Sequence, residues 1–289
     1  MTLAHYASSL AQSISSHYET VSVDRHQTWS WAGFTDFAFA RPCLTAPIVL
    51  AELHQVASTL PIVFEDSPGG LLPVALLQMG HDGPHVVTEA GEWAAFYTPA
   101  SLRLHPFACG LPGTAHDTQI LLDPHSATLS QTPKHQRLFD VTGTPTAAWQ
   151  AVLAHLEIYQ RQLKITAVAA QSLTKAGMLA PARKFAMSDD PMFDHLKVVD
   201  RKAFNQLPLH RLGKLFQTGA MELTHAHFTS LETAAQIRRI AGDQTRATQG
   251  SQAAPAQPSV SGADSFLDAM AMAYETQGAD DVPYDQGGS

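Results

Sequence analysis

Residues 137–146 read RLFDVTGTPT, and a long segment with the period of an amphipathic helix follows them up to Gly177. In that segment an apolar side chain recurs every three or four residues, which places these side chains on one helix face. Thirty or so residues predict a rod of roughly 45 Å, long enough to cross a whole domain. We therefore expect this helix to be the axis of the fold, with Leu156 and Leu163 buried. The predicted face consists of Trp149, Val152, Leu156, Tyr159, Leu163, Ala170 and Leu173, with Thr166 as its one polar member.

Both ends of this helix carry the expected boundary residues. Thr144 is predicted to cap the first turn, and Pro145 suits the first helical position, where its missing N–H has no partner to lose. Lys175 lies in the predicted last turn, Gly177 just beyond it, and Pro181 further on. This order of residues is typical of a helix C-terminus.

The rest of the chain mixes short strands and helices without β–α–β regularity, which favours the α+β class. We expect an N-terminal amphipathic helix within residues 1–19, one mixed domain over residues 20–240, and an acidic disordered tail over residues 241–289. Strands are predicted within residues 19–24, 29–39, 61–64, 71–79, 85–88, 118–122, 182–187 and 195–199, and further helices within residues 3–17, 48–60, 201–217 and 221–240.

The charge of the protein is concentrated at one end. The chain of 289 residues has a net charge of −8, and from residue 241 onward it contains seven acidic residues and one arginine. The first 240 residues are therefore nearly neutral, and they offer no basic stripe for a nucleic acid. All 15 histidines precede residue 241.

Cysteine content and hydropathy bear on the compartment. Cys43 and Cys109 are the only two cysteines, which is no disulfide framework, so free thiols in a reducing compartment are expected. The first 18 residues lack the basic n-region of a secretory signal. The longest apolar runs are far shorter than the ~20 residues of a membrane helix. We therefore expect a cytoplasmic protein with no membrane span.

The predicted tail contains one apolar island. Phe266, Met270 and Tyr274 stand four residues apart within residues 265–275, a spacing that forms one face of a short helix. The surrounding composition of Gln, Ala, Pro, Ser and Gly buries too little apolar surface to order on its own. We predict that this segment docks on a groove of the core or on a partner protein through these three residues, and a chance apolar island in a linker is the alternative.

The histidines and cysteines raise the question of a metal site or a nucleophile. His81 and His85 flank Asp82-Gly83 and could converge with Asp82 on a metal, but an Asp-Gly hairpin turn explains the same residues, and we predict the plain turn. His225 and His227 lie on opposite sides of a helix and cannot share one ion. A cysteine–histidine nucleophile pair stays open as an alternative. No phosphate-binding glycine loop or nucleophile elbow is present, so no cofactor is predicted.

An ordered series of short motifs runs over roughly residues 20–235. The motifs are PIVF (residues 61–64), LPVALL (72–77), YTPA (97–100), RLHPF (103–107), RLFD (137–140), GTPT (143–146), YQRQ (159–162), Val199-Asp200, Leu207-Pro208 and AHFTSL (226–231). This series resembles the bacterial SapC family, which is named after a gene associated with a paracrystalline surface layer and is unrelated to the transporter permease of the same name. The family has no settled biochemical activity, so the resemblance implies a soluble accessory protein linked to the surface layer or cell envelope.

Two functions follow from this series. The first is a non-catalytic binding or accessory protein. The second is an enzyme, or an enzyme partner, that acts on a small anionic or aromatic substrate. An enclosed polar pocket in which Arg103, Arg161 or His105 converges beside Asp140 favours the second function, and a filled core favours the first. The candidate ligand-binding residues are Arg103, His105, Asp140, Tyr159 and Arg161.

Simpler structural roles compete with this site. An arginine that holds Asp140 or Asp200 explains the same residues without a ligand. Glu157 and Arg161 are four residues apart on the long helix and are expected to form a surface pair.

Overall fold

The computed structural model describes residues 9–79, 85–182 and 191–232. Its longest element is helix α5 (Ala147–Lys175), with 29 residues, and the prediction of one long helix is confirmed. Leu156 and Leu163 are at most 1% exposed, as predicted. Val152 is only half-buried, and Ala169 joins the face in its place. The buried face consists of Trp149, Leu156, Tyr159, Leu163, Thr166, Ala169, Ala170 and Leu173.

The predicted N-terminal boundary of α5 is wrong by two residues. Thr146, not Thr144, is the cap: its hydroxyl accepts a hydrogen bond from the amide of Trp149 at 3.2 Å and donates to the carbonyl of Arg137 at 2.5 Å. Thr144 is held instead by Asp140, whose carboxylate accepts from the Thr144 amide at 2.9 Å. That contact keeps Thr144 in the preceding turn. The C-terminus is as predicted, since Gly177 follows the last turn with φ of 69°.

The other described helices are shorter than α5. The last of them, α8, is described over residues 220–232, within the predicted range 221–240 except for its first residue. Two helices separated at Leu207-Pro208 confirm the predicted break there. No described helix combines the length and the hydrophobicity that a membrane span requires. The helices are α1 (Leu10–Ser16), α2 (Val23–His26), α3 (Leu53–Ala57), α4 (Ala100–Arg103), α5, α6 (Arg201–Asn205), α7 (Leu209–Gln217) and α8.

Eleven strands are described, and every pair of neighbouring strands is antiparallel. One sheet has five strands in the order β10-β11-β4-β5-β3, and α5 packs against β5. Two sheets of three strands have the orders β1-β7-β6 and β8-β2-β9. Small antiparallel sheets around a long helix confirm the α+β class. The strands are β1 (Glu19–Thr20), β2 (Ser30–Trp31), β3 (Thr45–Pro47), β4 (Ile62–Ser67), β5 (Gly70–Leu76), β6 (Phe107–Cys109), β7 (Ile120–Leu122), β8 (Leu129–Ser130), β9 (Gln136–Arg137), β10 (Leu179–Pro181) and β11 (Leu196–Val199).

Several predicted strands are shorter than expected. Residues 23–26 form α2 because the Nδ1 of His26 lies within hydrogen-bond distance of the backbone of Ser22, four residues earlier, and this contact closes a helical turn. Between residues 29 and 39 only β2 is a strand, because Phe34, Phe37 and Phe39 pack their rings on one another at centroid distances of 5.3 to 6.0 Å. The predicted helix over residues 48–60 is divided into the 3-10 turn Leu50–Glu52 and α3.

Five predictions concern residues that lie partly or wholly outside the described ranges. They are the tail over residues 241–289, the tip of the hairpin over residues 80–84, most of the predicted strand over residues 182–187, the first part of the predicted helix over residues 3–17 and the last part of the predicted helix over residues 221–240. The strand that pairs with β11 is β10, a few residues earlier than predicted. The predicted domain boundaries at residues 20 and 240 stay predictions.

Helix α8 is fastened to the central sheet by buried polar side chains around Ile62, an arrangement named here the Ile62 clamp. The hydroxyl of Ser230 accepts from the Ile62 amide at 2.8 Å, and the Nδ1 of His227 donates to the Ile62 carbonyl at 2.7 Å. The Nε2 of His227 accepts from the amide of Val199 at 3.1 Å. Both ring nitrogens therefore have a backbone partner, and burial lowers the pKa of His227 to about 4. The clamp joins α8 to β4 and β11.

Thr166, the polar member of the α5 face, has a similar role. It is fully buried, and its hydroxyl accepts from the amide of Leu50 at 2.9 Å while donating to the carbonyl of Gln162 at 2.7 Å. An N–H at the start of a helical turn has no partner within that turn. Thr166 supplies this partner and so fixes the 3-10 turn that leads into α3.

Candidate functional site

A cleft of about 620 Å³ opens between α5, α4 and the segment that follows β2. Aromatic and aliphatic side chains form most of its wall, and it is named here the aromatic cleft. A volume of this size is within the range of small-molecule sites. The lining residues are Trp31, Ala32, Gly33, Phe34, Val49, Ala51, Glu52, Tyr97, Ala100, Arg103, Leu104, His105, Phe107, Val152, His155, Ile158, Tyr159 and Gln162.

Three of the five predicted site residues line the aromatic cleft, namely Arg103, His105 and Tyr159. Arg161 is exposed on α5 and does not line it. Asp140 does not line it either, because its carboxylate accepts from the amide of Thr142 at 2.8 Å and organises the turn before α5. Hydrogen bonding from Thr142 holds the pKa of Asp140 below its ordinary value.

The ion pairs that we considered for Arg103 and Arg161 are not among the contacts observed. Asp200 accepts from the amides of Lys202 and Ala203 and caps α6, so it is not held by an arginine side chain. Within the described residues, neither Arg103 nor Arg161 forms an ion pair, and the expected surface pair between Glu157 and Arg161 is not made.

Among the described residues, Glu52 is the one carboxylate in the wall of the aromatic cleft, and it is 4% exposed. Its Oε2 accepts from the hydroxyl of Tyr97 at 2.9 Å and from the amide of Ala100 at 2.8 Å, and its Oε1 accepts from the amide of Val49 at 3.0 Å. Burial raises the pKa of Glu52 against the opposing effect of these three donors. Glu52 thus joins the 3-10 turn to the start of α4.

Arg103 lies at the end of α4, next to Tyr97. Its guanidinium donates to the Tyr97 hydroxyl at 3.1 Å and stacks over the Tyr97 ring at 5.5 Å. Burial and the neighbouring Glu52 carboxylate raise the pKa of Tyr97 to about 12, so its hydroxyl remains a hydrogen-bond donor. A guanidinium has five N–H groups, and this geometry leaves most of those of Arg103 available to a ligand.

His105 is buried between the cleft and the loop after β7. Its ring stacks on Phe39 at 3.7 Å, and its Nε2 lies 2.8 Å from the hydroxyl of Ser126. Burial lowers the pKa of His105 to about 4, so the ring is neutral near pH 7. Its Nδ1 has no partner among the described residues. His105 therefore contributes a neutral, apolar surface to the cleft.

Aromatic rings packed edge to face or at a tilt support the floor of the cleft. Trp31, Phe107 and Trp149 form a triangle with centroid distances of 4.6 to 5.8 Å. Tyr159 projects from the buried face of α5, and burial raises its pKa well above the ordinary value. The floor is therefore rigid and uncharged, and it presents ring faces and edges to a ligand.

Sequence reasoning missed Glu52 as a site residue and treated Tyr97 only as part of a family motif. A signal for Glu52 was present, since it is the acidic residue inside the otherwise apolar run LAEL over residues 50–53. The role of Tyr97 depends on a contact with a residue 45 positions away, which no local pattern reveals.

The histidine and cysteine alternatives find little support. The described residues contain no group of three side chains that could hold a metal ion. Of the loop over residues 81–85 only His85 is described, and its Nδ1 accepts from the amide of Val87 at 2.8 Å. Cys43 and Cys109 are buried, and burial raises the pKa of both thiols to about 12, which disfavours a thiolate nucleophile.

A family model described as SapC matches residues 21–237, which is most of the chain. No curated protein and no solved structure matches this sequence.

Proposed function

We propose that this chain, which belongs to the SapC family, is a binding protein for a small amphipathic anion. The ligand carries a carboxylate or a similar anionic group next to Arg103, and an aromatic or apolar body in the aromatic cleft. This proposal combines the non-catalytic role of the first hypothesis with the ligand chemistry of the second. An accessory role in the surface layer or cell envelope, and a cytoplasmic location, rest on the family resemblance and the sequence alone.

The observation that carries the proposal is the position of Arg103. Among the described residues it forms no direct ion pair, and its hydrogen bond goes to the neutral hydroxyl of Tyr97. The Glu52 carboxylate lies on the far side of that hydroxyl and attracts Arg103 only from a distance. That hydroxyl is fixed in turn by the buried Glu52 carboxylate. Charge-assisted hydrogen bonds to a guanidinium are short and strong, and its planar fork suits a carboxylate. A positioned arginine without a direct ion-pair partner is therefore suited to a ligand anion.

The walls of the cleft define the other half of the ligand. Phe34 and Ile158 are partly exposed at the cleft, and the rings of Trp31 and Phe107 lie beneath them. Aromatic rings pack well on another ring or on an aliphatic chain, and the burial of such a group is the main source of affinity in small-molecule sites. A strongly hydrophilic anion such as acetate would leave this surface uncovered.

Binding is better supported than catalysis because the two buried acid–base groups in the wall of the cleft, Glu52 and His105, are held by the protein. Glu52 accepts from three donors, and the Nε2 of His105 is bound to Ser126. A general base needs a lone pair within hydrogen-bond reach of the proton that it removes. Glu52 already accepts from these donors, and the unpaired Nδ1 of His105 is buried away from the surface of the cleft.

The test compares phenylacetate with its neutral amide and with acetate, by isothermal titration calorimetry. Phenylacetate should bind, phenylacetamide should bind roughly tenfold more weakly because it lacks the charge, and acetate should show no saturable binding. Arg103→Gln should remove the preference for phenylacetate over phenylacetamide. Arg161→Gln removes the same charge outside the cleft, and it should bind like the wild type.

Two results would contradict the proposal. One is equal affinity for phenylacetate and phenylacetamide in the wild-type protein. The other is an equal loss of affinity in Arg103→Gln and Arg161→Gln, which would show that net charge rather than the site attracts the anion.

A further inference from the structure

The side of α5 that faces away from the core carries a second apolar stripe, named here the outer seam. Its largest apolar members, Ile158, Ile165 and Val168, are 51% to 53% exposed. Ile165 follows the buried Leu163 by two residues, or about 200° around the helix, so the outer seam lies opposite the core face. The seam consists of Ala147, Ala151, Ala154, Ile158, Arg161, Ile165, Val168 and Ser172, all exposed or half-buried.

The spacing within the outer seam is that of a coiled coil. Its successive members are alternately four and three residues apart along the whole helix. Two helices that pack side by side use this repeat to keep their apolar side chains in contact. Six of the eight members are apolar, and the exceptions are Arg161 and Ser172. The solvent side of a surface helix is ordinarily polar, so this pattern points to a second helix.

The outer seam is complementary to an antiparallel copy of itself. In one antiparallel register, Ile165 of one helix lies opposite Ala154 of the other. Val168 then lies opposite Ala151, and all eight members of the seam overlap. Large side chains therefore meet small ones near both ends, which lets the two helices approach closely. The same contacts form twice, as the twofold symmetry of a homodimer requires.

Charged side chains beside the seam favour the same register. Glu157 and Lys164 lie on one flank of the seam, about 70 to 90° from its middle. In this register Glu157 is about 3 Å along the axis from Lys164 of the second copy. The two side chains lean toward each other, because each points toward the N-terminus of its own helix. A parallel pair of helices would instead place Glu157 beside Gln162, which carries no charge.

Both charges are available to a second copy. Glu157 forms no ion pair with a described residue, and Lys164 lies 3.9 Å from the Asp117 carboxylate, at the limit of an ion pair. Arg161, the charged member of the seam, comes within one residue along the axis of Glu157 of the second copy. Its aliphatic stem can pack along the seam while the guanidinium reaches that carboxylate.

We propose that the chain forms an antiparallel homodimer through the outer seam of α5, with ion pairs between Glu157 and Lys164 across the interface. A second copy is the occupant because one register satisfies both the apolar seam and the charges on its flank. One pair of helices makes a small interface, so the association is weak and reversible. The aromatic cleft lies on the other flank, where His155 and Gln162 line it, so dimerisation and ligand binding are independent.

The test is sedimentation equilibrium of the full chain at concentrations up to about 200 µM, where dissociation constants in the micromolar range are measurable. The wild-type protein should dimerise. Glu157→Lys and Lys164→Glu should each weaken the dimer at least tenfold, because like charges then face each other. The double variant should regain most of the affinity, and an equimolar mixture of the two single variants should form heterodimers.

A matched pair of variants tests the apolar seam. Ile165→Glu should abolish dimerisation, whereas Phe96→Glu places the same charge on a fully exposed position outside α5 and should have no effect. A monomeric wild-type protein would overturn the proposal, and so would equal effects of these two variants. A double charge variant that associates no better than the single variants would also overturn it. A monomer whose residues 265–275 lose amide protection in Ile165→Glu would assign the outer seam to the tail instead.

Discussion

The Ile62 clamp and the aromatic cleft both contain polar side chains inside a mostly apolar fold, but they differ in how fully those side chains are satisfied. In the clamp, both ring nitrogens of His227 and the hydroxyl of Ser230 have partners from the backbone. In the cleft, Arg103 has one neutral partner and spare N–H groups. A polar group whose donors and acceptors all have partners stabilises the fold. A polar group with spare donors at an opening is available for binding.

The same comparison distinguishes two buried histidines by whether their ring nitrogens have hydrogen-bond partners. His105 and His227 are both buried and both have a pKa lowered to about 4. Only His227 has both nitrogens paired, and it joins three elements of the core. His105 lines the cleft and leaves Nδ1 without a described partner. A lowered pKa by itself therefore does not distinguish a structural histidine from one at a site.

The largest effect is expected from His227→Leu in the clamp. The substitution leaves the Ile62 carbonyl and the Val199 amide buried without partners, and it should lower the free energy of unfolding by about 4 kcal/mol. His225→Leu is the control, because His225 is exposed on the same helix and its loss should cost less than about 0.5 kcal/mol. Urea denaturation of both variants measures the difference. Similar midpoints would contradict the claim that His227 in the clamp stabilises the fold more than the exposed His225.

Acidification should destabilise the protein through the two buried histidines. Each has a folded-state pKa of about 4 against 6.5 for the ordinary side chain, so the unfolded chain takes up protons first. The contribution of the two neutral rings to the free energy of unfolding is fully present above pH 6.5, and it is lost as the pH falls toward 4. Through each histidine, the free energy of unfolding should fall by about 2 kcal/mol between about pH 7.5 and pH 5.

The check on this pH effect is the slope of stability against pH in His105→Gln. Buried Glu52 and Glu65 act in the opposite direction, because burial raises the pKa of both carboxyl groups. The difference between wild type and variant removes their contribution. The variant should lose less stability than the wild type over the same interval, and an unchanged slope would mean that His105 is protonated as easily when folded as when unfolded.

A smaller loss is expected from Thr166→Val on α5. Valine has nearly the same shape, but it leaves the Leu50 amide without its partner, which should cost about 1.5 kcal/mol. Thr174→Val on the exposed part of the same helix is the matched control and should be nearly neutral. Equal urea midpoints for these two variants would contradict the structural role of Thr166.

The smallest effect on stability is expected in the cleft itself. Arg103 is exposed, so Arg103→Gln should lower the free energy of unfolding by less than about 1 kcal/mol, the value of its stacking on Tyr97. The same variant should lose most of its affinity for phenylacetate. A large loss of stability would instead make Arg103 a structural residue like His227.

The parts of the fold that were predictable from sequence are those with a local signal. The period of α5, the Gly177 boundary, the strand that starts at Ile62 and the break at Leu207-Pro208 are local patterns, and the structure has all four. The cap of α5 was predicted at Thr144 and lies at Thr146. Both threonines fit a cap, and the hydrogen bond from the Thr144 amide to the side chain of Asp140, four residues earlier, decides between them.

The site was predictable in part, for the same reason. Arg103, His105 and Tyr159 were proposed from motifs, and they line one cleft. Asp140 and Arg161 were proposed on the same grounds and lie outside it, because a motif does not show which way a side chain points. Glu52 was missed because its partners, Tyr97 and Ala100, lie 45 and 48 residues away along the chain.

The most direct test of the central claim is the side-chain Nε–Hε NMR signal of Arg103 during a titration with phenylacetate. We predict a saturable shift of the Arg103 signal and slower exchange of its Hε with water, because the carboxylate accepts from the guanidinium. The signal of Arg161 should stay unchanged at the same ligand concentrations. An unchanged Arg103 signal, or equal shifts of both arginines, would contradict the claim that Arg103 and the aromatic cleft form a ligand site.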